Sequence, residues 1–68
     1  MTKVTGNYGY RIMTTEDGFK VGTFQNCNYN GSGQKVEPKI ENGQLVKMKS
    51  YSTEKKAIAF GEKFLASN

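Results

Sequence analysis

The sequence of 68 residues contains no histidine and no tryptophan, and it has one proline and one cysteine, Cys27. The absence of histidine removes the commonest general base and the commonest metal ligand. The six Asp and Glu residues fall mostly in turns or on exposed faces, where no sequence feature prepares a carboxyl group for acid–base catalysis. We therefore expect a protein that is not an enzyme and that needs no metal or other cofactor.

The single thiol also excludes an internal disulfide, which fits a reducing compartment. Cys27 is expected to lie in a loop or at a sheet edge. The amino terminus lacks the apolar run of a signal peptide, and no stretch approaches the ~20 apolar residues of a membrane span. These features predict a cytoplasmic protein without a membrane partner, in the host cytoplasm if a phage encodes it.

Basic residues outnumber acidic ones, ten Lys and Arg against six Asp and Glu, for a formal charge of +4. This surplus favours polyanionic or acidic partners, although it also serves solubility alone. Four Phe and four Tyr supply large apolar surfaces for a core. The length is near the lower limit for a domain that folds alone, so one thin core is expected.

The first hairpin is predicted around Asp17-Gly18, a strong turn signal because both residues tolerate positive φ. Alternation of side chains before the turn is typical of a strand with one buried face. A two-residue turn pairs Ile12 with Thr23. The core face of this hairpin then carries Tyr10, Ile12, Phe19 and Val21.

The second hairpin is predicted from residues 35–40 and 44–50. We expect a three-residue turn, Glu41-Asn42-Gly43, with Gly43 in the left-handed position of a β-bulge. Pro38 lacks an N–H donor, so the first of these strands is expected either at a sheet edge or with the missing N–H of position 38 facing outward. This register puts the apolar side chains on the core face, namely Val36, Pro38, Ile40, Val46 and Met48. The lysines of these strands then project from the opposite face.

A carboxy-terminal helix follows the second hairpin. Thr53 is predicted to cap its amino terminus, and Glu54 suits the positive end of the helix dipole. Apolar residues recur at helical spacing and form one stripe. This stripe consists of Ala57, Ile58, Phe60, Gly61, Phe64 and Leu65. The charged residues expected to face solvent are Lys55, Lys56, Glu62 and Lys63.

Together the elements predict one α+β domain over residues 1–68. It has an antiparallel sheet of two β-hairpins, about four strands, with one carboxy-terminal helix packed on one face. Residues 1–7 form either a frayed end or a short edge strand. Residues 26–34 are rich in Asn and Gly and are predicted to form a loop.

The uncovered face of the sheet is the predicted binding site. If the hairpins join into one sheet, this face collects Arg11, Lys20, Lys35, Lys39, Lys47 and Lys49. Such a patch can neutralise phosphates and release their counterions. Lysines also protect edge strands from aggregation, so the pattern has a second interpretation. Tyr29 is a further candidate contact, because aromatic residues on exposed loops often bind partners.

Three segments together have the pattern of a small sheet followed by the start of a helix. They are Gly9 to Ile12, Gly18 to Phe24 and Ser50 to Ala57. The last segment has an aromatic residue, any residue, Thr, and then Ala at the helix start. In this order the segments resemble the arm-type DNA-binding amino-terminal domains of phage and transposon integrases. The resemblance implies that four sheet residues face the DNA groove: Arg11, Lys20, Lys47 and Lys49.

The chain is also similar in size and character to small phage anti-CRISPR proteins, a class of anti-defence proteins. On that alternative its lysines and exposed Tyr or Asn side chains dock on a nuclease complex and block the groove for its nucleic acid. We expect a small binding protein whose partner is DNA, RNA or a nucleoprotein complex such as a CRISPR effector. A structural or assembly accessory protein is the second alternative.

Overall fold

The computed structural model describes residues 1–29 and 40–68. The strands and the helix are β1 (Thr2–Thr5), β2 (Tyr8–Thr15), β3 (Gly18–Gln25), β4 (Asn28–Tyr29), β5 (Ile40–Glu41), β6 (Gln44–Tyr51) and α1 (Glu54–Ala66). Four strands form an antiparallel sheet in the order β1-β2-β3-β6, and β4 pairs with β5. Helix α1 packs mainly over β2 and β3. The predicted α+β class, the four-stranded antiparallel sheet and the single carboxy-terminal helix are confirmed.

The fourth strand of the sheet comes from the amino terminus. β1 pairs along β2, with Val4 opposite Gly9, so residues 2–5 form an edge strand and not a frayed end. Among the described residues, Ile40 pairs with Tyr29, whereas the prediction placed it in a hairpin with β6. β6 pairs with β3 instead, because β3 offers eight residues of free edge. The remainder of the predicted strand, residues 35–39, lies outside the described residues.

The turn before β6 also differs from its prediction. Asn42 takes the left-handed conformation, with φ 57°, and Gly43 does not. Asn is one of the few residues with a side chain that tolerate this region. Gly43 is small for a different reason, because a side chain there would crowd Ile40 and the sulfur of Cys27. Cys27 lies between β3 and β4, in a loop as predicted, but its thiol is buried, with 2% of the residue exposed, and burial raises its pKa.

The first hairpin has a turn one residue earlier than predicted. Thr15 pairs with Gly18, which leaves Glu16 and Asp17 as the turn, and Ile12 pairs with Val21. The pairing therefore differs from the predicted one by two residues, an even shift that leaves every side chain on its predicted face. Gly18 opens β3 with φ 153°, a conformation essentially reserved for glycine. A glycine is therefore required at this first position of β3.

The core lies between the sheet and α1. Its buried side chains are Tyr10, Ile12, Val21 and Ala57, surrounded by Phe19, Tyr51, Ile58, Phe60 and Leu65. The helix begins as predicted, since the hydroxyl oxygen of Thr53 accepts a hydrogen bond from the backbone N–H of Lys56 at 3.3 Å. The predicted apolar stripe faces the sheet, with Ala57 and Gly61 fully buried in it.

Strand β6 turns the opposite side toward the helix from the one predicted. Lys49 pairs with Val21 and Lys47 with Thr23, and both partners are buried on the helix side of the sheet. Val46 and Met48, which were predicted to be in the core, are 48% and 42% exposed. The predicted core assignment of these two residues was therefore wrong.

The reversal of β6 has two physical causes. The helix reaches only the border of this edge strand, so its helix side stays half open and suits lysine stems whose ammonium groups extend into water. A register shift between Thr23 and Phe24 also leaves Val46 without a partner, as in a β-bulge. The extra residue places Leu45 on the same side as Met48, which a regular alternation does not anticipate.

A polar contact ties β1 to the helix. The Tyr10 hydroxyl donates to Glu62 Oε2 at 2.6 Å, and Lys3 Nζ contacts the two carboxylate oxygens at 2.9 and 3.0 Å. Glu62 was predicted to face solvent, whereas its carboxylate connects α1 to β1 and β2. The hydrogen bond from Tyr10, then that from Lys3, lowers the pKa of Glu62. Burial, and next the hydrogen bond to Glu62, raises the pKa of Tyr10.

Acidification should weaken this contact. Because the pKa of Glu62 is lower in the folded protein, its carboxylate stabilises the fold above the unfolded pKa of about 4.3, and this stabilisation is lost as the pH falls through the folded pKa. We expect Glu62→Gln to lower the Tm at pH 7 and to reduce the difference in Tm between pH 7 and pH 3. Thermal unfolding followed by circular dichroism at both pH values measures this.

The control is Glu16→Gln, which removes an exposed carboxylate from the first turn. This variant should keep the difference in Tm between pH 7 and pH 3 close to that of the original sequence. An equal difference in Glu62→Gln and the original sequence would show that the contact does not contribute to acid sensitivity.

Candidate functional site

A groove of about 600 Å³ lies between β6 and α1. Four lysines line it, two from each wall: Lys47 and Lys49 from β6, Lys56 and Lys63 from α1. Its floor includes the rings of Tyr51, Phe60 and Phe64. We call this feature the lysine groove. Its volume is within the range of ligand sites, about 300 to 1,000 Å³.

The fold places the lysines in two rows. Lys47 and Lys49 are alternate residues of a strand, so their side chains leave the same side of β6 about 6.8 Å apart. Lys56 and Lys63 are separated by seven residues, which is about two helical turns and about 10.5 Å along the axis of α1. The positive charge therefore extends along the groove.

Among the residues that the structure describes, no carboxylate balances this charge locally. The described lining of the groove contains no Asp or Glu, and within residues 1–29 and 40–68 none of its four lysines forms an ion pair. Glu62 is adjacent in sequence to Lys63, but its carboxylate is held by Tyr10 and Lys3. The contact between β1 and α1 thus keeps the nearest acid of the helix engaged elsewhere.

The aromatic floor is partly open to the groove. Tyr51 and Phe60 have ring centroids 6.0 Å apart at an interplanar angle of 45°. Phe64 packs edge to face on Tyr8, with centroids 5.9 Å apart. The ammonium nitrogen of Lys49 lies 5.5 Å from the centroid of Phe60, within the distance of a cation–π interaction. All three floor residues are half-buried, so the rings contribute both to the core and to the groove surface.

The predicted basic residues do not share one face. Lys47 and Lys49 line the groove on the helix side, whereas Arg11 and Lys20 lie on the open side of the sheet, opposite Gly22 and Met13 respectively. The prediction of a single basic face was therefore wrong. Two more of the predicted site residues, Lys35 and Lys39, lie outside the described residues. For Tyr29 the structure describes only the backbone, which pairs with that of Ile40 in the two-stranded sheet of β4 and β5.

The open side of the sheet carries apolar side chains around its two cations. Met13, Leu45 and Met48 are 38%, 55% and 42% exposed. A side chain at Gly22 would lie 3.3 to 3.5 Å from Phe24, Leu45 and Met48, so these three side chains lie close together over that glycine. We call this surface, with Arg11 and Lys20 beside it, the open-face patch.

Two groove residues were not predicted as binding residues. Lys56 and Lys63 were assigned to solvent, and they are indeed exposed, but they also border the apolar stripe on the side of β6. The available signal was their spacing, since residues seven apart lie on the same face of a helix. What the sequence could not indicate is which strand that face adjoins.

Comparison of the chain with models of protein families, with curated proteins and with solved structures finds no match. The resemblances to integrase arm domains and to anti-CRISPR proteins therefore stay predictions. In the described part of the chain, no helix has the length and apolar character needed to cross a membrane. The same residues gather no group of three or more His, Cys, Asp or Glu side chains that could hold a metal ion.

Proposed function

We propose that this protein is a binding module without enzymatic activity, and that the lysine groove binds nucleic acid. The observation that carries the proposal is the convergence of four lysines, without an acidic neighbour in the described lining, over aromatic rings. Lysine ammonium groups bind phosphates as point charges, and their binding releases counterions from the polymer. No cofactor is required for this activity.

The spacing of the lysines favours a polymer over a single small anion. Lys56 and Lys63 lie about 10.5 Å apart along the helix, which is about the length of three stacked nucleotides at 3.4 Å each. Two lysines spread over this length match successive phosphates of a strand better than they match one small anion. A cytoplasmic location is part of the proposal, because nucleic acids are available there and the thiol of Cys27 stays reduced.

The salt dependence of binding tests the proposal. If all four groove lysines neutralise phosphates of a single strand, the slope of log K against log salt is about −2.8, so affinity falls roughly 50-fold between 50 and 200 mM salt. Fluorescence anisotropy with a labelled 15-nucleotide strand and a 15-base-pair duplex measures it. Absence of binding by both probes at 50 mM salt would overturn the proposal, and so would binding that salt does not weaken.

A second candidate function is binding to a protein, and the open-face patch supports it. Exposed apolar side chains that lie together mark interaction sites, and Arg11 and Lys20 select an acidic partner by charge complementarity. A second copy of this chain fits poorly, because the same two cations would then approach each other. We propose an acidic surface of a nucleic-acid-handling complex as the occupant, in keeping with the inhibitor alternative.

A further inference from the structure

The geometry of the lysine groove points to a more specific ligand, and we infer that the groove binds single-stranded nucleic acid with a base stacked on its aromatic floor. This inference rests on the proposed function and names the form of nucleic acid. A groove that recognised phosphates alone would need only the lysines. The additional feature is the pair formed by Tyr51 and Phe60, which lines the same groove as the four lysines.

The face of the Phe60 ring is accessible from the groove. The ammonium nitrogen of Lys49 lies 5.5 Å from the ring centroid, and the side chain of Lys49 is exposed at the surface. A group that approaches from the groove can therefore take the place of the ammonium on this ring. Stacking of bases on aromatic rings between basic rows is how proteins bind single strands without sequence preference.

A duplex cannot use the same floor. Its bases are stacked and paired with each other, so it presents phosphates, sugars and base edges to the groove but no free base face. A single strand presents the same phosphates and also unpaired bases. The aromatic floor therefore adds affinity for single strands, while the lysines serve both forms. Recognition of unpaired bases predicts little preference for sequence, because every base has a face that stacks.

An abasic strand separates the contribution of the bases from that of the phosphates. Anisotropy titrations at 100 mM salt compare a thymidine 15-mer with a 15-mer of the same backbone that lacks all bases. We expect the thymidine strand to bind at least tenfold more tightly, with the same salt slope for the two strands. Equal affinity would overturn the inference but leave the proposed function intact, whereas failure of both strands to bind would overturn both.

Tyrosine fluorescence provides a second readout that does not require a core substitution. The chain has no tryptophan and four tyrosines, so its emission comes from tyrosine. Stacking on Tyr51 should quench part of this emission when the thymidine strand binds, and the abasic strand should not. Tyr51→Phe removes the tyrosine from the floor, so the quench on binding of the thymidine strand should be lost in this variant. Persistence of the full quench in Tyr51→Phe would contradict base stacking at this ring.

Phe60→Leu tests the other ring of the floor. Leucine keeps an apolar side chain in the helix stripe but provides no aromatic face. In this variant the ratio of affinities between the thymidine strand and the abasic strand, on a logarithmic scale, should fall to half or less of its value in the original sequence. A circular dichroism spectrum like that of the original sequence confirms folding. An undiminished advantage in a folded Phe60→Leu protein would exclude Phe60 as a stacking residue and overturn the inference as stated.

Discussion

Reversal of one lysine on each wall of the groove, by Lys47→Glu together with Lys56→Glu, is expected to weaken binding of a single strand roughly 60-fold at 50 mM salt. Each phosphate contact contributes about 0.7 to the salt slope, so the loss of two contacts removes about 1.8 decades of affinity relative to 1 M salt. The remaining slope should be about half the original. Anisotropy titration from 50 to 200 mM salt measures both quantities.

These two positions are chosen because their substitution leaves the fold intact. Lys47 contributes to the core only through its backbone carbonyl, which accepts a hydrogen bond from Thr23. Lys56 lies in the first turn of α1, where a glutamate interacts favourably with the helix dipole. A loss of binding in this variant would therefore come from the groove, and the Tm should stay close to that of the original sequence.

Arg11→Glu together with Lys20→Glu is the matched control. Both double variants change the formal charge from +4 to zero, but the control alters the open side of the sheet. If the groove is the site, the control binds the single strand within a few-fold of the original affinity. Equal losses in the two variants would show that net charge, and not the groove, determines binding. Loss of a protein interaction in the control alone would instead support the open-face patch.

The sequence was sufficient to predict the elements that depend on local signals. The Thr53 cap and the apolar stripe of α1 follow from short-range rules of helix formation, and both are confirmed. The face of the first hairpin was also predictable, because Tyr10, Ile12 and Val21 alternate with polar residues. The exact pairing was not, since a turn at Glu16-Asp17 and a turn at Asp17-Gly18 bury the same face.

The site was harder to predict because it depends on a choice between the two faces of β6. In this edge strand both faces carry long side chains, lysines on one and Leu45 or Met48 on the other, and the helix covers neither completely. Alternation therefore indicates a strand without indicating its buried side. The bulge at Val46 then breaks the alternation, and nothing in the local sequence marks it. Lys47 and Lys49 were thus identified as binding residues but assigned to the wrong surface.

The close packing of Gly61 against Tyr10 could not be predicted from the sequence either. It leads to the second large expected effect. We expect Gly61→Ala to destabilise the protein by at least about 2 kcal/mol, or to lower its Tm by roughly 10 °C. An alanine Cβ would lie 2.5 to 2.7 Å from three atoms at the base of the Tyr10 ring. Carbon atoms pack at about 3.5 to 4.0 Å, so α1 must move away from the sheet. Thermal and urea unfolding measure the loss.

The sign of this effect is informative, because alanine is the better helix former by about 1 kcal/mol. In the exposed part of the same helix that preference acts alone, so Ala59→Gly should cost about 1 kcal/mol. Gly61→Ala in a Tyr10→Ala background should be nearly neutral or stabilising, because alanine has no atom beyond Cβ and so lacks the Cγ and ring atoms that the methyl group meets. A gain in stability from Gly61→Ala in the original sequence would show that the helix does not approach Tyr10 this closely. The lysine groove would then have different walls, since the position of α1 on the sheet determines how near Lys56 and Lys63 lie to β6.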